Sequence, residues 1–167
     1  MIRAVNHIAI STHRFDEILH FYRDLLGLRE VGVHDMPSFS AKLEMVVGLR
    51  GCSARHAILS AGNTYLELWS YRQPEGRPAI ADRPVCDAGF THLCFDVVDL
   101  EAEYARLNAA GVRFHCPPPH LSGVVTTYAR DPDGNVVELQ EMLADNGLMS
   151  LSPDLLDASA KAWSGQA

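Results

Sequence analysis

Four residues of this chain are of types, and at spacings, that could hold and work a metal ion: His7, Glu67, His92 and Glu138. Successive side chains of a strand point to opposite faces of its sheet. In HIAI the histidine alternates with Ile8 and Ile10, and in HLCF His92 alternates with Leu93 and Phe95. In YLELW Glu67 lies between Leu66 and Leu68, and in VVELQ Glu138 lies between Val137 and Leu139. Each polar residue is therefore expected opposite the aliphatic face of its own strand. Two imidazoles and two carboxylates make a mixed nitrogen and oxygen donor set, borderline to hard, suited to one divalent ion such as Zn, Ni, Co, Mn or Fe. One carboxylate can remain a ligand while the other, displaced by substrate oxygens, acts as a general base. Any one of the four alone reads as an ordinary solvated strand residue. Four at equivalent places of a repeated pattern do not.

The elements that must position them occur twice. The stretch Gly89–Leu100, GFTHLCFDVVDL, restates Ala4–Phe15, AVNHIAISTHRF. DEILHFYRDLLGLREV follows the first and EAEYARLNAAGVRFH the second, each an amphipathic run closed by glycine (Gly27, Gly111) and continued by an extended segment. The pattern predicts an α+β protein of two βαβββ modules, residues 1–71 and 89–142. Residues 72–88, with Pro74, Gly76, Pro78 and Pro84 and no periodicity, form a linker, and residues 143–167 form a tail without counterpart in the first module.

In the first module we expect strands over 5–10, 28–34, 54–60 and 64–71 and a helix over 15–25. In that helix Phe15, Ile18, Leu19, Tyr22, Leu25 and Leu26 recur at helical spacing, with Asp16 or Thr12 as cap. Residues 36–51 break the pattern; Leu43, Val46 and Val47 would line one side of a short helix or lid. The AGN turn at 61–63 joins two strands. In the second module we expect strands over 91–97, 112–115, 124–130 and 135–142 and a helix over 100–110 capped by Asp99. DPDG at 131–134 is a strong hairpin turn. In the tail, Pro153–Trp163 carries Leu155, Leu156 and Trp163 and is expected to be partly helical.

Composition bounds the function. The 167 residues, 47% hydrophobic, suffice for a real core. No apolar run approaches the ~20 residues of a membrane span, and the N-terminus enters a strand pattern without a signal segment, so a cytoplasmic location is expected. With 14 basic and 21 acidic residues the net charge is −7, and no Lys/Arg cluster appears, which argues against nucleic acid as partner. The expected partner is a small-molecule substrate; an anionic one would need local positive charge. Cys52, Cys86, Cys94 and Cys116 show no metal or redox spacing and are expected to be buried free thiols, with Cys94 sharing the His92 face. By the same parity His56 could stand beside Glu67 as an auxiliary acid or base. Tyr65, Trp69 and Tyr128 are candidates for pocket walls. Arg50, Arg55 and Arg130 are candidate anchors for a carboxylate or phosphate.

The segments NHIAI, FYRDLLGL, YLELW, THLCFDVVDL, LNAAGV and DPDGNVVEL together resemble the vicinal oxygen chelate superfamily over residues 4–142. That superfamily includes glyoxalase I, methylmalonyl-CoA epimerase, fosfomycin-resistance enzymes, extradiol dioxygenases and bleomycin-resistance binding proteins. The resemblance implies an open eight-stranded cleft with the metal site on its concave side, and a homodimer. It also implies a role for Glu67: glyoxalase I and the epimerases carry an acidic or amide residue at the matching position, whereas extradiol dioxygenases and fosfomycin-resistance enzymes coordinate with two His and one Glu. LSAGNTYLEL is similar to the corresponding hairpin of the epimerases. The expected activity is a metal-dependent lyase or isomerase that moves a proton next to a carbonyl, with Glu138 or Glu67 as base. The alternatives are an Fe(II)-dependent extradiol ring-cleaving dioxygenase and a metal-free small-molecule binding or resistance protein on the same fold.

Overall fold

The structure, a computed structural model, describes residues 1–143 and Leu151. The chain divides into two compact units, one running from Met1 to Ala79 and the other beginning at Ile80.

The first unit holds β1 (His7–Ser11), α1 (Phe15–Leu19), β2 (Arg29–Met36), α2 (Ala41–Val47), β3 (Ser53–Ser60) and β4 (Tyr65–Gln73). Its sheet has the order β1-β4-β3-β2. The first strand thus lies parallel to the last, and the remaining neighbours are antiparallel. The second unit repeats the plan with β5 (His92–Asp96), α3 (Leu100–Ala109), β6 (Arg113–Phe114), β7 (His120–Leu121), β8 (Val124–Arg130) and β9 (Val136–Met142). Its path is β5-β9-β8-β6, again with first strand parallel to last, and β7 pairs with β8 as a fifth strand. The fold is α+β, with one four-stranded and one five-stranded sheet.

In each unit one helix, α1 or α3, covers the aliphatic face of the sheet. Ile18 of α1 is fully buried, as is Leu68 of β4, which α1 contacts. Leu100 and Leu107 of α3 and Val137 of β9 are likewise fully buried. Burying each such side chain contributes about 1.5–3 kcal/mol. Because strand residues alternate, the face left away from the helix is where Glu67 and Glu138 must point.

Several local expectations change. The first helix is α-helical only over Phe15–Leu19 and widens into a π-helical segment, His20–Leu25. Leu26 N–H accordingly donates to the Phe21 carbonyl five residues back. That one-residue shift leaves the apolar spacing almost unchanged, which hides it from periodicity. Arg14, rather than Asp16 or Thr12, stands at the N-cap, and Thr12 Oγ1 accepts the Arg14 N–H. Asp99 caps α3 as expected, accepting the Ala102 N–H. In α2, capped by Ser40, Leu43 and Val47 pack on a cluster of Phe39, Cys52 and Ala54, but Val46 faces solvent at 81% exposure. Among the cysteines only Cys52 is buried; Cys86, Cys94 and Cys116 are exposed, all free. Their apolar character alone did not place them inside, because exposed loops and the uncovered sheet faces take three of them. The expected tail helix with Leu155, Leu156 and Trp163 lies outside the described residues.

Candidate functional site

In the first unit, β1 and β4 run parallel with Ala9 opposite Glu67 and His7 opposite Tyr65. His7 therefore shares the uncovered face with Glu67, and its Nε2 lies 3.7 Å from Glu67 Oε2. The next strand adds His56, which pairs with Trp69 across β3 and β4. Its Nε2 stands 3.5 Å from the other oxygen, Glu67 Oε1. His56 is 7% exposed, and its Nε2 has no hydrogen-bond partner among the described residues. Its ring lies on the Trp69 indole at 3.9 Å between centroids, and Trp69 Nε1–H donates to Glu67 Oε2 over 3.0 Å. One indole thus orients both the imidazole and the carboxylate. Desolvation holds the His56 pKa below the ordinary value, partly countered by the Glu67 charge. His34, opposite His56 on β2, completes the row at 6.1 Å.

The second unit repeats the arrangement. Cys94 lies opposite Glu138 in the parallel β5–β9 pair, so His92, like His7, stands two residues before the partner of its glutamate. His92 Nε2 is 3.0 Å from Glu138 Oε2, while Thr126 Oγ1 donates to Glu138 Oε1 over 2.7 Å. Tyr128, opposite Glu138 on β8, packs its ring 5.1 Å from His92. Desolvation, followed by the Glu138 charge, pushes the Cys94 thiol up to about 12. Both causes favour the protonated thiol over the thiolate.

The donor chemistry fits a divalent ion. His7 Nδ1 meets the Asn6 amide oxygen at 2.9 Å and His92 Nδ1 meets the Thr91 hydroxyl at 3.1 Å. With Nδ1 engaged by the preceding side chain, Nε2 is the ring nitrogen turned toward the carboxylate in each pair, and the one each histidine would offer to an ion. Among the described residues no three or more His, Cys, Asp or Glu side chains are gathered into a ready-made ion site. The donors come as two His–Glu pairs, one per unit.

A family model for the Glyoxalase/Bleomycin resistance protein/Dioxygenase superfamily matches residues 4–139. The chain belongs to this superfamily. It is 29% identical over 143 residues to the uncharacterized protein YaeR of Escherichia coli, covering 84% of this chain and 97% of that protein. A glyoxalase family protein from Bacillus cereus superposes with a TM-score of 0.75 at 21% identity, covering 86% of this chain and 96% of that one. A lactoylglutathione lyase from Agrobacterium tumefaciens gives a TM-score of 0.52 at 25% identity, over 83% and 92% of the two chains.

On this glyoxalase-superfamily scaffold, the remaining sequence candidates divide. Tyr65 lies opposite His7 and is 43% exposed on the same face. Trp69 and Tyr128 stand beside the carboxylates, as described. Arg130 is tied to the carbonyls of Gly134 and Arg83 and to His115. Arg55 does not reach this face: it pairs with Asp16 at 3.0 Å and lies 4.2 Å over the Phe15 ring, on the α1 side. Sequence reasoning missed Thr126 and His34. The parity of β2 could have found His34; Thr126 needed the β8–β9 register.

Proposed function

We propose that this chain is a metal-dependent lyase or isomerase, glyoxalase- or epimerase-like, that transfers a proton next to a carbonyl of a small substrate, working in the cytoplasm as a homodimer. The observation that supports it is the repeated His–Glu pair, with the same two-residue offset in β1–β4 and in β5–β9 and the same Nδ1 engagement by the preceding residue. The lyase named among the similar structures belongs to the same reaction class.

His7, Glu67, His92 and Glu138 would hold the ion. A divalent ion held there would supply the Lewis acidity that polarises a carbonyl oxygen and acidifies the neighbouring C–H. The chain's own residues do the rest. Glu138, with Oε1 fixed by Thr126, offers Oε2 as proton acceptor. Glu67, held by Trp69, is the second carboxylate, and His56 beside its Oε1 can relay a proton to or from it. Trp69 and Tyr65 beside Glu67, and Tyr128 beside Glu138, are the aromatic surfaces a substrate would meet at each carboxylate.

Elemental analysis of protein purified without added metal, and solvent deuterium exchange into α-hydroxy ketones, 2-oxoaldehyde adducts and acyl thioesters, tests the proposal. We expect one divalent ion per chain, exchange that stops on chelation and returns with the ion, and loss of most metal in His92→Ala. Unchanged metal stoichiometry in that variant overturns the four-residue site. Tightly held iron with catechol-dependent oxygen uptake would replace the lyase by the ring-cleaving dioxygenase. A chain that binds no metal at micromolar levels would replace it by a binding protein.

A further inference from the structure

We infer that the second unit carries an anion pocket for a phosphate or carboxylate, built on Arg113 and Arg130, and that the substrate of the proposed reaction bears that group. The second half rests on the reading of His92 and Glu138 as part of the reacting centre; the first stands by itself. The pocket, about 520 Å³, lies along β6 and is lined by Asp82, Asn108, Arg113, Phe114, His115 and Arg130 among others.

Two arginines meet here by register: Arg113 pairs with Arg130 across β6 and β8. Arg130 is rigid, its Nη1 donating to the Gly134 carbonyl at 2.7 Å and its Nη2 to the Arg83 carbonyl at 3.0 Å. Its Nε–H donates to His115 Nε2 at 3.0 Å, so His115 accepts there, carries its proton on Nδ1 and is neutral. Desolvation, then the charges of Arg130 and Arg113, hold the His115 pKa below its ordinary value, partly countered by Asp82. Arg113 is the exposed member. Its side chain is 61% exposed and meets the 65% exposed Asp82 at 3.2 Å. Such an exposed ion pair is worth little, and an arriving anion can take the guanidinium from it. Two arginines against one aspartate leave one positive charge at the pocket, in a chain whose net charge is −7.

The pocket also adjoins the candidate site within its own unit. Arg130 and Tyr128 share one face of β8, the face that carries Glu138 on β9. His115 packs 5.8 Å from the Tyr128 ring, which in turn packs 5.1 Å from His92. A small substrate anchored through its anionic group at the arginines would extend along the Tyr128 ring toward His92 and Glu138.

The test is binding without turnover. The full chain, treated with chelator so that a metal cannot report the anion, is titrated with sodium phosphate and with sodium acetate at constant ionic strength, by calorimetry and by the His115 ring-proton NMR signals. We expect saturable binding of at least one anion with a shift of His115. Arg113→Gln should weaken it by at least about ten-fold, since a charge-assisted hydrogen bond is lost. Asp82→Asn should strengthen it by about two- to five-fold, since the competing carboxylate is removed. Both positions are exposed, and opposite signs from two partners of one ion pair are not produced by a general loss of structure. No saturable binding, or an Asp82→Asn variant that binds no more tightly, overturns the pocket and leaves the proton-transfer reading standing. Binding that occurs while Arg113→Gln leaves KM for every exchanging anionic substrate unchanged overturns the substrate assignment.

Discussion

The indole N–H of Trp69 donates to Glu67 Oε2 over 3.0 Å from two residues further along the same strand, while the face of that indole supports His56. Replacing Trp69 by Phe keeps an aromatic surface under His56 and in the Phe39 cluster but removes the donor. Outer hydrogen bonds of this kind typically change metal affinity or activity ~10–100-fold. We expect Trp69→Phe to weaken metal binding by about ten-fold with little change in unfolding midpoint, as a chelator competition run beside a urea titration would show. Equal metal affinity in the two proteins would reduce Trp69 to a packing residue.

The two glutamates should separate by role. Glu138→Gln retains an amide oxygen that can coordinate but cannot take a proton, so the loss should fall on kcat, by ~10²–10⁴, with most metal kept. Glu67→Gln should be the milder change. The ring-cleaving alternative demands another pattern, with Glu67→Gln nearly silent and Glu138→Gln losing iron. Metal content and deuterium exchange measured on both variants decide between them.

Asp131 is 1% exposed and organises the β8–β9 turn. Its carboxylate accepts the N–H groups of Asp133 and Asn135 and the Asn135 side-chain amide. Removing an acceptor that serves three donors should destabilise by about 2–4 kcal/mol. Urea unfolding of Asp131→Ala should show it; a change under ~0.5 kcal/mol would mean that the turn holds without its aspartate.

His115 makes a pH prediction whose sign is fixed. Desolvation and then its arginine neighbours lower its folded-state pKa from the ordinary 6.5. Stability from keeping this ring neutral is complete above about pH 6.5 and is lost as pH falls through the lowered folded value, because the unfolded chain protonates first. His115→Gln should flatten the fall in unfolding free energy between about pH 7 and pH 5 relative to wild type. An identical pH profile for the two proteins would refute the shift.

Alternation made the uncovered face readable, since parity alone put Glu67 opposite Leu66 and Leu68 and brought His56 to its side. Doubling of the pattern did the same for the topology. What parity does not carry is register. That Thr126 stands where it can fix Glu138, and that Arg113 meets Arg130, follows only from how strands are paired across turns of particular length. Nor does residue type settle where an apolar side chain goes: Val46 satisfies the spacing of a buried helix face and yet points to solvent, while Leu43 and Val47 pack, partly buried, on the Phe39 cluster.

The parallel pairing of first strand with last also makes each His–Glu pair a long-range contact of its own unit. Glu67 follows His7 by 60 residues, and Glu138 follows His92 by 46. Every antiparallel neighbour in these sheets can zip from a nearer contact, but β1 and β5 find their partners only by closing the largest loop in their unit, the step with the greatest entropic cost and the slowest kind of contact to form. Each His–Glu pair therefore depends on the longest-range strand pairing of its unit. A chain that has not yet paired β1 with β4, or β5 with β9, holds histidines with no carboxylate to meet, so each donor pair exists only in a unit whose sheet is already closed.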